Sequence, residues 1–428
     1  TIVKKVLIIT YYWPPAGGPG VQRWLKFVKY LPEFGIEPIV YCPKNPNYPI
    51  IDTTMVSEVS SNLEVLQIPI NEPYKWAQLV SKSKTSKLSK GIITGQKKQT
   101  ILEKILLFVR GNFFIPDARI SWVKPSVSFL SDYIKTHKID TIITTGPPHS
   151  LHLIGLQLKQ IHQLKWITDF RDPWTQIGYH KKLKLTAKSK KKHDQLESTV
   201  LTEADEIIVT SLQTKTIFSK LTTTPISVIT NGYDFEINTN SKLDSKFTLS
   251  HIGSLLDGRN PHVLWNVLSE MVNESTEFSQ AFQLNLIGHV SESVLESIKA
   301  FGLDVYTRQI GYVSHSEALL YQKNSQLLLL IEENSKETQY IIPGKLFEYM
   351  ASKRPIIALG PQQSDIEDIL ASTCSGAYFK YADAKSLRIC LFSHFEAYKS
   401  DSLEVDSKGL EHYSRRNLTL KLSEKLVF

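Results

Sequence analysis

Lys345 and Glu348 stand three positions apart in Pro343-Gly344-Lys345-Leu346-Phe347-Glu348-Tyr349-Met350. On a helix that spacing puts an ammonium and a carboxylate on one face, one turn apart. Leu346, Phe347 and Met350 form the apolar stripe, and Pro355 stops the helix before the apolar strand Ile356-Ile357-Ala358-Leu359. Gly344 lets backbone approach a ligand closely, and first-turn N–H groups form an anion site. Lys345 adds a point charge suited to a diphosphate, while Glu348 can accept hydrogen bonds from a vicinal diol such as ribose. A diphosphate grip with a diol acceptor behind it describes a nucleotide-sugar site. The plainer alternative is a capped surface helix with an i, i+3 ion pair, worth a few tenths of a kcal/mol.

The elements that must position such a site repeat a strand–loop–helix rhythm. The apolar run Val3–Thr10 leads into Tyr11-Tyr12-Trp13-Pro14-Pro15-Ala16-Gly17-Gly18-Pro19-Gly20, then a helix over 21–34 and a strand over 38–42. The loop lacks the G-x-G-x-x-G spacing of a dinucleotide fingerprint. Further strands are predicted over 141–145, 165–169, 206–210 and 227–230. They end in Gly146-Pro147-Pro148-His149-Ser150, Phe170-Arg171-Asp172-Pro173-Trp174, Ser211 and Asn231-Gly232-Tyr233-Asp234. Ligands of open α/β sheets sit beyond the carboxyl ends of strands, where each of these clusters falls. After a linker over 235–246, a second series predicts strands over 247–252, 282–287, 304–306, 326–331 and 377–379. Its first loop, Gly253-Ser254-Leu255-Leu256-Asp257-Gly258-Arg259, offers turn N–H groups and Arg259, a second cation for a diphosphate. Asp169 and Asp172 bracket Arg171; two carboxylates around an arginine make an ion-pair network or an acceptor-hydroxyl site more simply than a metal site. No metal and no other cofactor is expected.

The stretch Pro343–Gly360 resembles the donor-site helix of glycosyltransferase family four, retaining enzymes of the GT-B fold, in their exopolysaccharide and lipid-linked glycan branch. The family pattern is Pro-Ser/Gly-Lys-x-x-Glu-Tyr, then a small-residue turn and Lys-Pro. The Tyr-Tyr-Trp-Pro-Pro-x-Gly-Gly loop resembles the family's first loop, which implies that Gly17 and Gly18 face donor phosphate and acceptor in an interdomain cleft. The resemblance also implies diphosphate contacts for Arg259, Lys345 and the Gly253-Ser254 turn. Tyr312-Val313 resembles the turn whose backbone reads a uracil or guanine edge, and His149 the cleft histidine that touches the donor sugar, with His152 as the nearby alternative. Many members carry a second glutamate where this chain has Tyr340; Glu337 and Gln339 are the possible substitutes.

The implied architecture is α/β: GT-B, two Rossmann-like doubly wound domains facing across a cleft. An acceptor domain spans 1–234 with a basic insertion over 71–120, a donor domain spans 245–408, and a helix over 409–428 returns to the first domain. The implied activity moves a sugar, with retention, from a UDP- or GDP-sugar to a glycan or lipid-linked acceptor in cell-surface polysaccharide synthesis. A nucleotide-sugar epimerase of the same fold and a non-catalytic nucleotide-sugar binder are the alternatives.

The chain has 428 residues, 42% apolar and 21% charged, which suits two soluble domains. Three scattered cysteines fit a reducing, cytoplasmic setting, and no apolar run is long enough to span a membrane. The net charge of +8 is local. From Lys75 to Arg110 nine Lys/Arg face one acid, and Lys181–His193 holds seven lysines and no acid; these segments sum to +15, leaving −7 elsewhere. No aromatics interleave with the lysines, so nucleic acid is not expected as a partner. An anionic membrane surface is, with Ile101–Phe114 as part of an interfacial amphipathic hairpin, which makes the protein peripheral at the inner face of the cytoplasmic membrane.

Overall fold

The computed structural model describes residues 4–72, 101–176, 180, 183–234 and 242–427, the side chains of 101–103 apart. The basic stretch over 75–98, Lys181, Lys182 and positions 235–241 of the expected linker lie outside the described residues. The chain divides into two units, Thr1–Asn231 with Arg415–Phe428, and Gly232–Ser414.

The first unit is built on seven parallel strands: β1 (Lys4–Ile9), β2 (Ile36–Pro43), β3 (Glu64–Ile68), β4 (Thr141–Gly146), β5 (Lys165–Phe170), β6 (Glu206–Val209) and β7 (Ile226–Val228), in the order β3-β2-β1-β4-β5-β6-β7. Helices cover both faces, so its central strands are buried along most of their length rather than alternating between buried and exposed. Leu7 and Ile9 join one core with Trp122, Leu130 and Leu158. Val6 and Ile8 join the other with Trp24, Leu25 and the terminal-helix residues Leu418, Leu422 and Leu426. Those three buried leucines contribute roughly 5–9 kcal/mol of transfer free energy, enough to fix the helix Arg415–Val427 onto this unit.

The second unit has six parallel strands: β8 (Phe247–Ile252), β9 (Phe282–Ile287), β10 (Thr307–Gly311), β11 (Leu327–Ile331), β12 (Ile356–Gly360) and β13 (Gly376–Lys380), ordered β10-β9-β8-β11-β12-β13. Along β11, Leu327, Leu329 and Ile331 face one core while Leu328 and Leu330 face the other.

Several boundaries differ from the sequence reading. The expected strand over 304–306 is a 3-10 turn, and β10 starts after it. The helix expected over 21–34 spans Pro19–Tyr30 and passes into the 3-10 turn Leu31–Phe34, which contains Pro32 and is closed by Gly35 at φ 74°. Of the expected hairpin, Ile101–Phe113 is a helix, and the other arm lies outside the described residues. The return helix begins at Arg415, because the 3-10 turn Leu410–Tyr413 stays with the second unit, where Tyr233 N donates to Tyr413 O at 3.1 Å.

Each sheet reverses its winding once, between β1 and β4 and between β8 and β11. Strand ends at such reversal points leave a crevice where ligands of doubly wound sheets bind.

Candidate active site

The loops after β8 and β11 and the helix Lys345–Ala351 bring Gly253, Arg259, Lys345 and Glu348 of the expected donor site together. Lys345 and Tyr349, one turn apart, both reach the end of β8. Lys345 Nζ donates to Ile252 O at 3.0 Å and lies 3.4 Å from His251 Nε2, while the Tyr349 hydroxyl accepts from Ile252 N at 2.9 Å. Gly253 follows at φ +115°, and a Cβ there would lie 3.4 Å from Lys345 Nζ; a side chain at this turn would be strained and would crowd the ammonium. Burial, with Arg259 second and Glu348 opposing, lowers the Lys345 ammonium to about 7. Arg259 stands at the end of the turn Asp257–Arg259, half-buried, with no side-chain hydrogen bond or ion pair among the described residues. Neither the guanidinium nor the lysine has a carboxylate within ion-pair distance among the described residues, which leaves both available to an anionic ligand.

Glu348 accepts from Gln322 Nε2 at 3.2 Å, and its Oε1 lies 3.8 Å from His315 Nε2. The carboxylate is thereby aimed by the helix His315–Asn324 and keeps some solvent exposure. Gly344 caps the Lys345–Ala351 helix, which is only seven residues long. So short a helix adds little macrodipole, and the grip on an anion falls to the cationic side chains rather than the helix end. Ser254 is exposed, Val313 packs partly on the core, and Tyr312 is 93% exposed beyond β10. Tyr340 is buried, and the amide of Gln339, one of its possible substitutes, donates to Gln362 O at 2.6 Å.

Sequence reasoning missed Glu332. It follows the last residue of β11, is 5% exposed, and accepts from Ser364 Oγ (3.0 and 3.2 Å) and Tyr378 Oη (2.8 Å). Its signal was available: two acids, Glu332-Glu333, at the carboxyl end of an apolar strand. His251 was missed too, being fully buried inside β8 with Nδ1 3.1 Å from Leu329 O.

A second cluster lies in the first unit, at the ends of β1, β4 and β5. A Cβ on Gly20 would collide with the Arg171 guanidinium, so the glycine loop and Arg171 touch. Gly18, at φ 106°, turns the chain into the Pro19–Tyr30 helix, and Gly17 N donates to Ile50 O at 3.0 Å. Arg171 bonds to the carbonyls of Gly146 and Pro147. His149 is 4% exposed, stacks on Trp174 (4.9 Å, 3°), and has no partner for either ring nitrogen among the described residues. Burial, then His152 and Arg171, pushes it well below the usual histidine range. The neutral imidazole is therefore favoured, able to hydrogen-bond but a weak base. His152 is fully buried, and its Nδ1 is 2.8 Å from Thr144 Oγ1.

Asp169 corrects one expectation. Rather than presenting a carboxylate to an acceptor, it is fully buried and receives hydrogen bonds from Arg23 (2.9 and 3.3 Å), Trp24 (2.8 Å) and Thr145 (2.8 Å). Burial is the largest influence and raises its pKa, but Arg23, Arg171 and Thr145 together outweigh this and hold it below the usual range. Its ion-pair partner is Arg23, not Arg171, and the pair ties the first helix to the sheet. Asp172 stays partly accessible, with burial pushing its carboxyl up.

No family model matches the chain, and no curated protein matches it. Solved structures do. A sucrose-phosphate synthase from Thermosynechococcus elongatus superposes with a TM-score of 0.60 at 13% identity, covering 99% of this chain and 98% of that one. HepE from Anabaena, in complex with UDP, gives 0.61 at 12% identity over 99% of both chains. A candidate UDP-N-acetylglucosamine 2-epimerase from Listeria monocytogenes gives 0.53 at 12% identity, over 99% and 95%. With its two parallel-sheet α/β units, the chain has the GT-B fold.

Proposed function

We propose that the protein is a glycosyltransferase that takes its sugar from a nucleotide-diphosphate sugar. The observation that carries this reading is the convergence of Arg259, Lys345 and Glu348 at the β8/β11 reversal point. Departure of a nucleoside diphosphate needs positive charge where negative charge develops, and preorganised cations in a partly desolvated site supply it. Lys345 and Arg259 fill that role without calling on a metal, and Glu348 is set to accept the ribose diol. Complexes of the similarly folded HepE with UDP and with UDP-glucose support a uridine nucleotide as the first donor to try. Membership of the retaining family-four enzymes, a polysaccharide role and a glycan or lipid-linked acceptor rest on the motif resemblance.

For an acceptor on a lipid carrier, we further propose peripheral binding to the inner face of an anionic membrane. The helix Ile101–Phe113 exposes Ile105, Phe108 and Phe113. Its end is fastened beside the lysine-rich helix Ala187–Glu203: Thr186 N donates to Asn112 Oδ1 at 2.8 Å, and Gly111 abuts Leu183 and Leu185. Exposed lysines at 184, 188 and 190–192 thus neighbour an exposed apolar face. Among the described residues no helix is long and apolar enough to cross a membrane.

The test is incubation with labelled UDP- and GDP-sugars, with and without lipid acceptor extract. Label moving to acceptor is expected. Isomerised free donor would make the protein an epimerase, and neither outcome would reduce it to a binder.

A further inference from the structure

Glu332 is a carboxyl group in a place that disfavours one. The turn carrying Arg259 presses on the end of β11, where a Cβ on Gly258 would lie 3.1 Å from the Glu333 carboxyl carbon. Two adjacent acids therefore sit beside Arg259, one of the two cations read above as the diphosphate grip. Were both ionised, they would cancel much of the charge that recognises an anion.

The hydrogen bonds around Glu332 resolve the conflict. Tyr378 Oη lies 2.8 Å from Glu332 Oε2 and 2.8 Å from Pro361 O. A phenol has one proton, so it donates to one of these acceptors only. Burial, then Glu332, holds the Tyr378 phenol far above the usual tyrosine range, so it keeps that proton. If Tyr378 donates to the Pro361 carbonyl, Oε2 must itself carry a proton and donate to Tyr378. Ser364 Oγ, which accepts from Ile366 N, then donates to the other oxygen, Oε1. Every group is satisfied with Glu332 neutral. With Glu332 ionised, the phenol turns to Oε2 and the Pro361 carbonyl loses its donor, a penalised state for buried polar groups.

The other groups facing Glu332 are few. Arg259 favours its charged form, Asp365 opposes it, Glu333 is its chain neighbour, and Tyr381 donates to its backbone oxygen at 2.8 Å. Burial dominates and pushes the carboxyl up to about 7.

We propose that Glu332 is a proton-carrying positioning residue of the diphosphate site: neutral, it leaves the charge of Arg259 to the ligand; ionised, it competes for that charge. The proposal rests on the nucleotide-sugar reading. A diphosphate bound beside Glu332 favours the protonated carboxyl, so binding takes up a proton and weakens as pH rises past the titration of Glu332.

The test is calorimetric titration of UDP-glucose, a diphosphate diester with no titration of its own near neutrality, between pH 6 and 9; GDP-mannose replaces it if it does not bind. Glu332→Gln keeps a donor for Tyr378 and an acceptor for Ser364. Both proteins weaken as Lys345 deprotonates, but the wild type weakens more steeply, by up to about tenfold more per pH unit. Equal slopes overturn the proposal. Infrared difference spectroscopy of the wild type is the second measurement, independent of how the variant folds. The band of a buried protonated carboxyl is expected at pH 6, lost by pH 9, and restored at pH 8 by the nucleotide sugar. A protein that binds the ligand but lacks the band overturns the role of Glu332 alone. A protein that carries the band but binds neither nucleotide sugar at any pH overturns the nucleotide-sugar reading and this role with it.

Discussion

Replacing Lys345 by methionine separates binding from stability. The side chain fills similar space and removes only the charge and its donors. In the free protein the ammonium donates to Ile252 O and is held at about 7 chiefly by burial. A folded-state value depressed from 10.5 to about 7 means that the unfolded chain binds more protons between those pH values, so this group makes stability rise with pH across that window. Below pH 7 the buried charge opposes folding by a few kcal/mol at most, the full shift corresponding to roughly 4–5 kcal/mol before allowing for the lysine's residual solvent contact. Lys345→Met relieves that penalty and loses one hydrogen bond worth about 1 kcal/mol. Tyr349, bonded to Ile252 N, still anchors the helix. The melting temperature at pH 6 should therefore hold or rise. Affinity for UDP, by contrast, loses a charge-assisted contact of about 1.5–3 kcal/mol, a weakening of roughly 10- to 150-fold by calorimetry. UDP affinity unchanged within about twofold, or a collapse of the melting temperature at pH 6, would refute the reasoning.

Three further outcomes are expected. His149→Ala should lower turnover at least about tenfold while UDP affinity stays within about twofold, since both its ring nitrogens are unpartnered among the described residues and the family resemblance implies contact with the donor sugar; the same split from His152→Ala, with His149→Ala active, would transfer the role to His152. Asp169→Ala strands Arg23 as a buried unpaired charge and should cost about 3–5 kcal/mol, seen as a fall in melting temperature of roughly 6–20 °C. Co-sedimentation with vesicles should require anionic lipid, weaken at high salt and diminish in Phe108→Ser with Phe113→Ser; binding indifferent to lipid charge and salt removes the membrane proposal.

What the sequence displayed and what it hid divide by range. The apolar runs of β11 and β12 and the glycine turn after β8 have polar clusters at or beyond their ends, so the rhythm of the second unit and the positions of Arg259, Lys345 and Glu348 were legible from local pattern. The edge strand β10, Thr307-Arg308-Gln309-Ile310-Gly311, is largely polar, and nothing local separates it from the turn before it. Partner identity was the larger loss. Arg171 stands two residues from Asp169, yet the carboxylate pairs with Arg23, 146 positions earlier. Glu332 reads locally as a solvated acid after a strand; Ser364 and Tyr378, 32 and 46 positions later, convert it into a buried one. Local spacing marks which groups reach a strand end, while long-range packing decides which of them keep their charge.

A crystal structure with bound UDP tests the central claim most directly. The account predicts phosphate oxygens within hydrogen-bond distance of both Lys345 Nζ and the Arg259 guanidinium, and ribose hydroxyls donating to Glu348. Phosphates bound away from the ends of β8 and β11, with Lys345 still turned to Ile252 O and Glu348 untouched, would contradict it.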